Sequence, residues 1–110
     1  MKTTLNALAE PNRLQIVELL RDGPLTVGEI ADRLSLNQPQ VSKHLRVLSN
    51  AELVEVNAIS NRRIYKLKAK PFIELNSWLE SYRHIWEERF DLLDDYLQDL
   101  QRKGVNHDDK

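Results

Sequence analysis

The chain has 110 residues, 41% hydrophobic and 30% charged, the balance of one globular domain rather than a disordered segment. It has no cysteine, which excludes disulfides, thiolate metal sites and thiol-based redox sensing. The net charge of −1 is uneven: residues 1–70 hold 11 Lys+Arg against 7 Asp+Glu, a net of +4, and residues 71–110 hold 5 against 10, a net of −5. Such an asymmetry suits a basic binding surface joined to an acidic element kept away from it.

The opening MKTTLNALAEPNR lacks a long apolar run and a small-residue cleavage pattern, so no signal peptide is expected. No apolar run approaches the length that spans a membrane, and cytoplasm is the expected compartment. TTLNALAE reads as a short helix with Leu5 and Leu8 on one face. Pro11, well placed in a first turn, opens a second helix whose buried stripe is expected to hold Leu14, Val17 and Leu20, with Ile16 and Leu19 beside them. Gly23 and Pro24 end it. In LTVGEIADRL, Thr26 and Glu29 have the spacing of a capping box, and Ile30, Ala31 and Leu34 face inward.

After the break SLN comes QPQVSKHLRVL, with Asn37 as N-cap and Pro39 in the first turn. Val41, Leu45 and Leu48 stand at i, i+4 and i+7 and define its packed face. Gln38, Gln40, Ser42, Lys43 and Arg46 crowd the rest, a polar leading end on the second helix of a helix-turn-helix. LVEVNAISNRRIYKL then alternates with period two about a polar tip, which predicts a hairpin with Arg62 and Arg63 at or just past the tip. From Pro71 the helical period returns. Leu75, Trp78, Leu79, Tyr82, Trp86, Leu93 and Tyr96 form an apolar seam on one helix predicted over 71–103, interrupted at Arg89 and Phe90. A seam that long needs a second subunit to cover it. Residues 104–110 read as a flexible tail.

Taken together, ALAEPNRLQIVELL, TVGEIADRLSLNQPQVSKHLRVLSNAELV and NRRIYKL resemble the ArsR-type family of bacterial winged-helix transcriptional repressors. The expected fold is mostly α with a β-hairpin wing: a winged helix-turn-helix over 1–70 and a C-terminal dimerisation helix over 71–103. The resemblance implies a homodimer that represses from an inverted-repeat operator in double-stranded DNA and is released by an inducer. It also marks three departures. Glu52 replaces a usual glycine after the recognition helix, and Asn61 takes the glycine position of the wing tip. The cysteines of the metal-sensing branch are missing and no second histidine stands at the matching spacing, so the resemblance carries over no metal or other cofactor.

The DNA-binding residues expected are Gln38, Gln40, Ser42, Lys43, His44, Arg46, Arg62 and Arg63. Glutamine can pair with adenine through both ends of its amide, and lysine can reach guanine acceptors, in the major groove. Arg46, Arg62 and Arg63 suit phosphates and the minor groove. His44, between packed positions, suits a structural hydrogen bond first and a phosphate second. His84 and Glu87 have i, i+3 spacing but stand among Glu88, Asp91, Asp94 and Asp95, the pattern of a solvated helix face. With only 3 Gly and no nucleophile arrangement, an enzyme is not expected. Two rival readings stand beside DNA-binding repression: a winged module that binds protein, and a repressor gated by a small apolar effector held among the aromatics of the last helix.

Overall fold

A computed structural model describes residues 1–108, with side-chain surroundings over 1–102. The elements run α1 (Lys2–Leu8), α2 (Pro11–Leu20), β1 (Leu25–Thr26), α3 (Val27–Leu34), α4 (Gln38–Asn50), β2 (Val54–Ile59), β3 (Arg62–Leu67), α5 (Ala69–Glu80) and α6 (Arg83–Asp108). The chain divides into two compact units, Met1–Leu75 and Asn76–Lys110.

The first unit is a winged helix-turn-helix. Its core joins Ile16, Val17 and Leu20 of α2, Ile30 and Ala31 of α3, Val41, Leu45 and Leu48 of α4, and Leu53 and Val54 leading into the hairpin. Local chemistry sets the helix starts as expected. Thr26 and Glu29 close the expected reciprocal capping box on α3, and Asn37 caps α4 as expected, with Gln40 completing a second box there that was not expected. Ser35, at φ 56°, turns the chain between α3 and α4, and Leu36 N–H donates back to the Ala31 carbonyl at 3.0 Å.

Two expected burial patterns are corrected. Thr4 and Ala7 are the buried residues of α1, while Leu5 is exposed. In α2, Leu14 is exposed too. On the helical wheel, Arg13 points closer than Leu14 to the direction of Ile16, Val17 and Leu20. Its Nε donates to the Ala7 carbonyl at 2.7 Å and its Nη2 to that of Asn6 at 3.3 Å, so a cation closes the C-terminal end of α1.

The wing is β2 paired antiparallel with β3, from Val54↔Leu67 out to Ile59↔Arg62. Strand β1, too short to show a period in sequence, adds a third strand with Leu25↔Tyr65 and Thr26↔Ile64. The sheet order β1-β3-β2 ties the start of α3 to the root of the wing. At the tip, Ser60 and not Asn61 takes positive φ, at 56°.

Helix α4 ends in a Schellman motif: Leu53 N–H donates to Leu48 carbonyl at 2.9 Å and Glu52 N–H to Ser49 carbonyl at 3.0 Å, with Leu48 and Leu53 both buried. This places Glu52 at φ 59°, where a Cβ is unfavourable. Its carboxylate lies 3.8 Å from both Lys68 and Lys70, exposed pairs that contribute little. Replacing Glu52 with glycine is therefore expected to stabilise the fold by about 0.5–1 kcal/mol. Urea unfolding checks this, and a lower midpoint in E52G would show that the lysine pairs outweigh the backbone.

In the second unit the single helix expected over 71–103 is corrected to two. Ser81 Oγ donates to the Trp78 carbonyl at 2.6 Å, and Tyr82 N–H donates to Leu79 carbonyl at 3.0 Å rather than one residue further back. Serine competing for a helix carbonyl ends the ladder there, and Arg83 pairs with Glu80 and Glu87 across the turn. These two carboxylates raise the Arg83 pKa, the Glu87 hydrogen bond most. Helix α6 runs to Asp108, past the end expected near residue 103. The remainder of the expected tail, 109–110, lies outside the described residues. Helix α6 has 26 residues, about 39 Å. Ile85, Phe90, Leu92, Leu93, Tyr96, Leu97 and Leu100 are all exposed, and at 100° per residue they fall, with Trp86, in one arc.

Candidate nucleic-acid interface

Helix α4 packs against α2, α3 and β2 through Val41, Leu45 and Leu48, each 0% exposed. The opposite side is thereby fixed outward. Lys43 and Arg46 lie nearest that outward direction, with Ser42 and Gln40 to its two sides, while Gln38 stands nearer the packed side, and all five are exposed. On β3, Arg62 and Arg63 are exposed beside the start of α3, and with Thr26, Gly28, Glu29 and Asp32 they line a shallow concavity. Glu29 there is held below its usual pKa, first by the Thr26 backbone N–H donating to it, then by the Thr26 side chain, with smaller help from the charges of Arg33 and Arg62.

The expected readers are not equivalent. The Gln38 amide lies over the first turn of α3, its Nε2 at 3.5 Å from the point where a Cβ on Gly28 would stand. Gln40 closes the capping box: its Oε1 accepts from Asn37 N–H at 3.2 Å while its own N–H donates to Asn37 Oδ1 at 2.9 Å. The sequence did contain that signal, since glutamine three residues after an asparagine N-cap is the capping-box spacing. His44 is half-buried, with Nδ1 at 3.7 Å from Glu10 Oε2, the same oxygen that accepts from Arg13 N–H at the N-terminus of α2. It faces α2 more than the outward side. Ser42, Lys43, Arg46, Arg62 and Arg63 make no side-chain hydrogen bond or ion pair among the described residues.

No group of three or more His, Asp or Glu side chains converges to hold a metal among the described residues. Glu87 pairs instead with Arg83. No helix among the described residues is long and apolar enough to cross a membrane.

The model of bacterial regulatory proteins of the arsR family matches residues 10–56, from the N-cap of α2 into the first wing strand. The HTH-type transcriptional regulator Rv2034 of Mycobacterium tuberculosis (strain ATCC 25618 / H37Rv) is 42% identical over 76 residues, covering 69% of this chain and 71% of the relative. The chain belongs to the arsR family. A second relative, the transcriptional repressor SdpR of Bacillus subtilis (strain 168), is 27% identical over 82 residues, 74% of this chain and 91% of its own. Another, from Vibrio cholerae, is named as a transcriptional activator. Among solved structures, the homodimeric winged helix-turn-helix DNA-binding domain of Mb0332 from Mycobacterium bovis superposes with a TM-score of 0.63 at 27% identity, over 80% of this chain and 82% of that one.

Proposed function

We propose that this arsR-family chain is a dimeric, sequence-specific DNA-binding repressor that acts in the cytoplasm on an inverted-repeat operator. The observation that carries the reading is the uncommitted polar ridge of Ser42, Lys43 and Arg46, held outward by a fully buried opposite face and set on the same unit as an exposed wing bearing Arg62 and Arg63. A rigid helix with a polar leading end fits a major groove, and a basic hairpin fits the flanking backbone. Lys43 and Arg46 supply phosphate contact, and Ser42 and the amides of the leading end meet base edges. Two such units related by a twofold axis read half-sites about one helical turn, 10–10.5 base pairs, apart or a multiple of it. Occupancy of that site excludes polymerase from the promoter.

The exposed apolar arc of α6 supports the second subunit, since a patch of that kind marks an interaction surface. Trp86 and Tyr96 are the seam aromatics within it, while Leu75, Trp78, Leu79 and Tyr82 belong to α5 and the turn that follows.

A titration of duplex binding across salt concentration tests the reading. Affinity should fall steeply with salt. The double variant K43A/R46A should bind all duplexes more weakly, with the log–log salt slope reduced by about 2. Binding indifferent to salt would instead favour the protein-interaction module. In a transcription assay on the bound promoter, added protein should lower the transcript; a rise would make it an activator.

A further inference from the structure

The Gln40 amide is held in the leading turn before any DNA arrives, and its hydrogen bond has a definite polarity. A backbone N–H can donate only to an acceptor, so the group of Gln40 that faces Asn37 N–H is its carbonyl oxygen. The reciprocal bond from Gln40 N–H to Asn37 Oδ1 locks the same turn from the other side. With Oε1 committed, what Gln40 has left to offer is the Nε2 amino group, which makes no hydrogen bond among the described residues on an exposed side chain. With Oε1 turned back to the helix start, the amide meets an outside partner chiefly through its donor.

Adenine is read in the major groove by an acceptor and a donor together, N7 and N6, and a glutamine needs both ends of its amide to match them. A donor alone matches an edge made of acceptors. Guanine presents N7 and O6 and thymine presents O4 to such a donor, whereas adenine offers N7 beside an amino group that opposes Nε2, and cytosine offers an amino group alone. We infer that Gln40, working within the DNA-binding reading above, selects a keto base, guanine or thymine, at one position on a defined strand of each half-site, because the backbone N–H of Asn37 holds its Oε1. Every base pair has one keto and one amino partner, so Gln40 reads which way round that pair lies. This replaces the adenine contact expected of a glutamine with both amide ends available.

The test is enrichment of bound duplexes from a random pool by the full-length parent, Gln40→Glu and Gln40→Ala. Glutamate keeps an acceptor for Asn37 N–H, so the capping box survives while the donor is lost. The parent should prefer G or T over A or C by roughly tenfold at one position of the half-site. Q40E should reverse that position to C or A, since a carboxylate accepts from an amino group, with the rest of the motif unchanged. Q40A should flatten the same position, and it carries the test if the carboxylate of Q40E repels the duplex. Adenine enriched by the parent at the position that Q40A flattens would overturn the inference, for the base selected there would then carry no keto group. A motif identical in all three proteins would overturn it as well. Failure of the parent to enrich any motif would instead remove the DNA-reading function beneath it.

Discussion

Leu45→Ala should unfold the DNA-reading unit at a temperature roughly 10–20 °C below the parent, a loss of about 3 kcal/mol. Leu45 is 0% exposed and belongs to the cluster that joins α2, α3, α4 and the hairpin root. Truncation removes the burial of its methyl groups and leaves a void that the surrounding residues, in separate elements, can close only in part. A domain of this size has a small net stability, so that loss is a large share of it. The same side chain aims the candidate interface. Val41, Leu45 and Leu48 hold one side of α4 against the core, and the reading residues stand on the other side of the same 13-residue helix. Sequence-specific binding by L45A should weaken even below its melting temperature, because a loosened α4 no longer presents its ridge at a fixed angle. Ser42→Ala is the control: exposed, one turn from Leu45, it should leave the melting midpoint near the parent while changing affinity. A melting curve for L45A within about 3 °C of the parent would show that the core does not depend on this position.

The parts of the fold written in local chemistry were legible in the sequence. Thr26 with Glu29, Asn37 as an N-cap, and the prolines in the first turns of α2 and α4 fixed helix starts, because a cap is satisfied within four residues. Val41, Leu45 and Leu48 showed the buried face of α4 by spacing alone. Failures came where a distant group decides. Leu14 and Leu5 had the right period for burial, but Arg13 reaches from α2 to the carbonyls of α1 and takes an inward position that apolar spacing gives to leucine. Strand β1 is two residues long and exists only because β3 lies beside it. The break at Ser81 and Tyr82 hides inside a continuing apolar period, since serine ends a helix by where its hydroxyl donates, not by hydropathy. The candidate site shows the same division. Exposure of Gln38, Gln40, Ser42, Lys43 and Arg46 followed from periodicity, but what each amide touches did not. Gln40 was read as a groove contact and as part of no cap, although one spacing rule supports both roles.

Removal of everything after Leu75 should leave a folded monomer that binds a single half-site, with affinity for the full operator lower by roughly 10²–10⁴-fold. The first unit, Met1–Leu75, contains every residue of the buried core and the whole candidate interface, so its fold does not require α6. What is lost is the apolar arc of α6, where Phe90, Leu92 and Tyr96 are each at least 60% exposed in the single chain. Rings and branched chains left in water over several helical turns are stabilised by a second copy, and covering them ties two reading units together. The second half-site then binds at high effective concentration rather than from bulk, which is the source of the affinity that truncation forfeits. Leu93→Asp with Leu97→Asp in the full-length chain separates seam from length, since both residues lie on the arc and neither lies in the first unit. Sedimentation should give a monomer for both proteins, with the melting of the first unit retained. A truncated chain that still sediments as a dimer would place the twofold contact within Met1–Leu75. A charged-seam dimer that keeps parental operator affinity would show that α6 does not pair the readers. Arg89 sharpens the case: it lies inside the apolar arc, and a single charge within such a seam restricts the registers in which two helices can pack. Arg89→Leu should therefore strengthen self-association while broadening it to higher oligomers, and the dimer that reads two half-sites should become a smaller share of the protein.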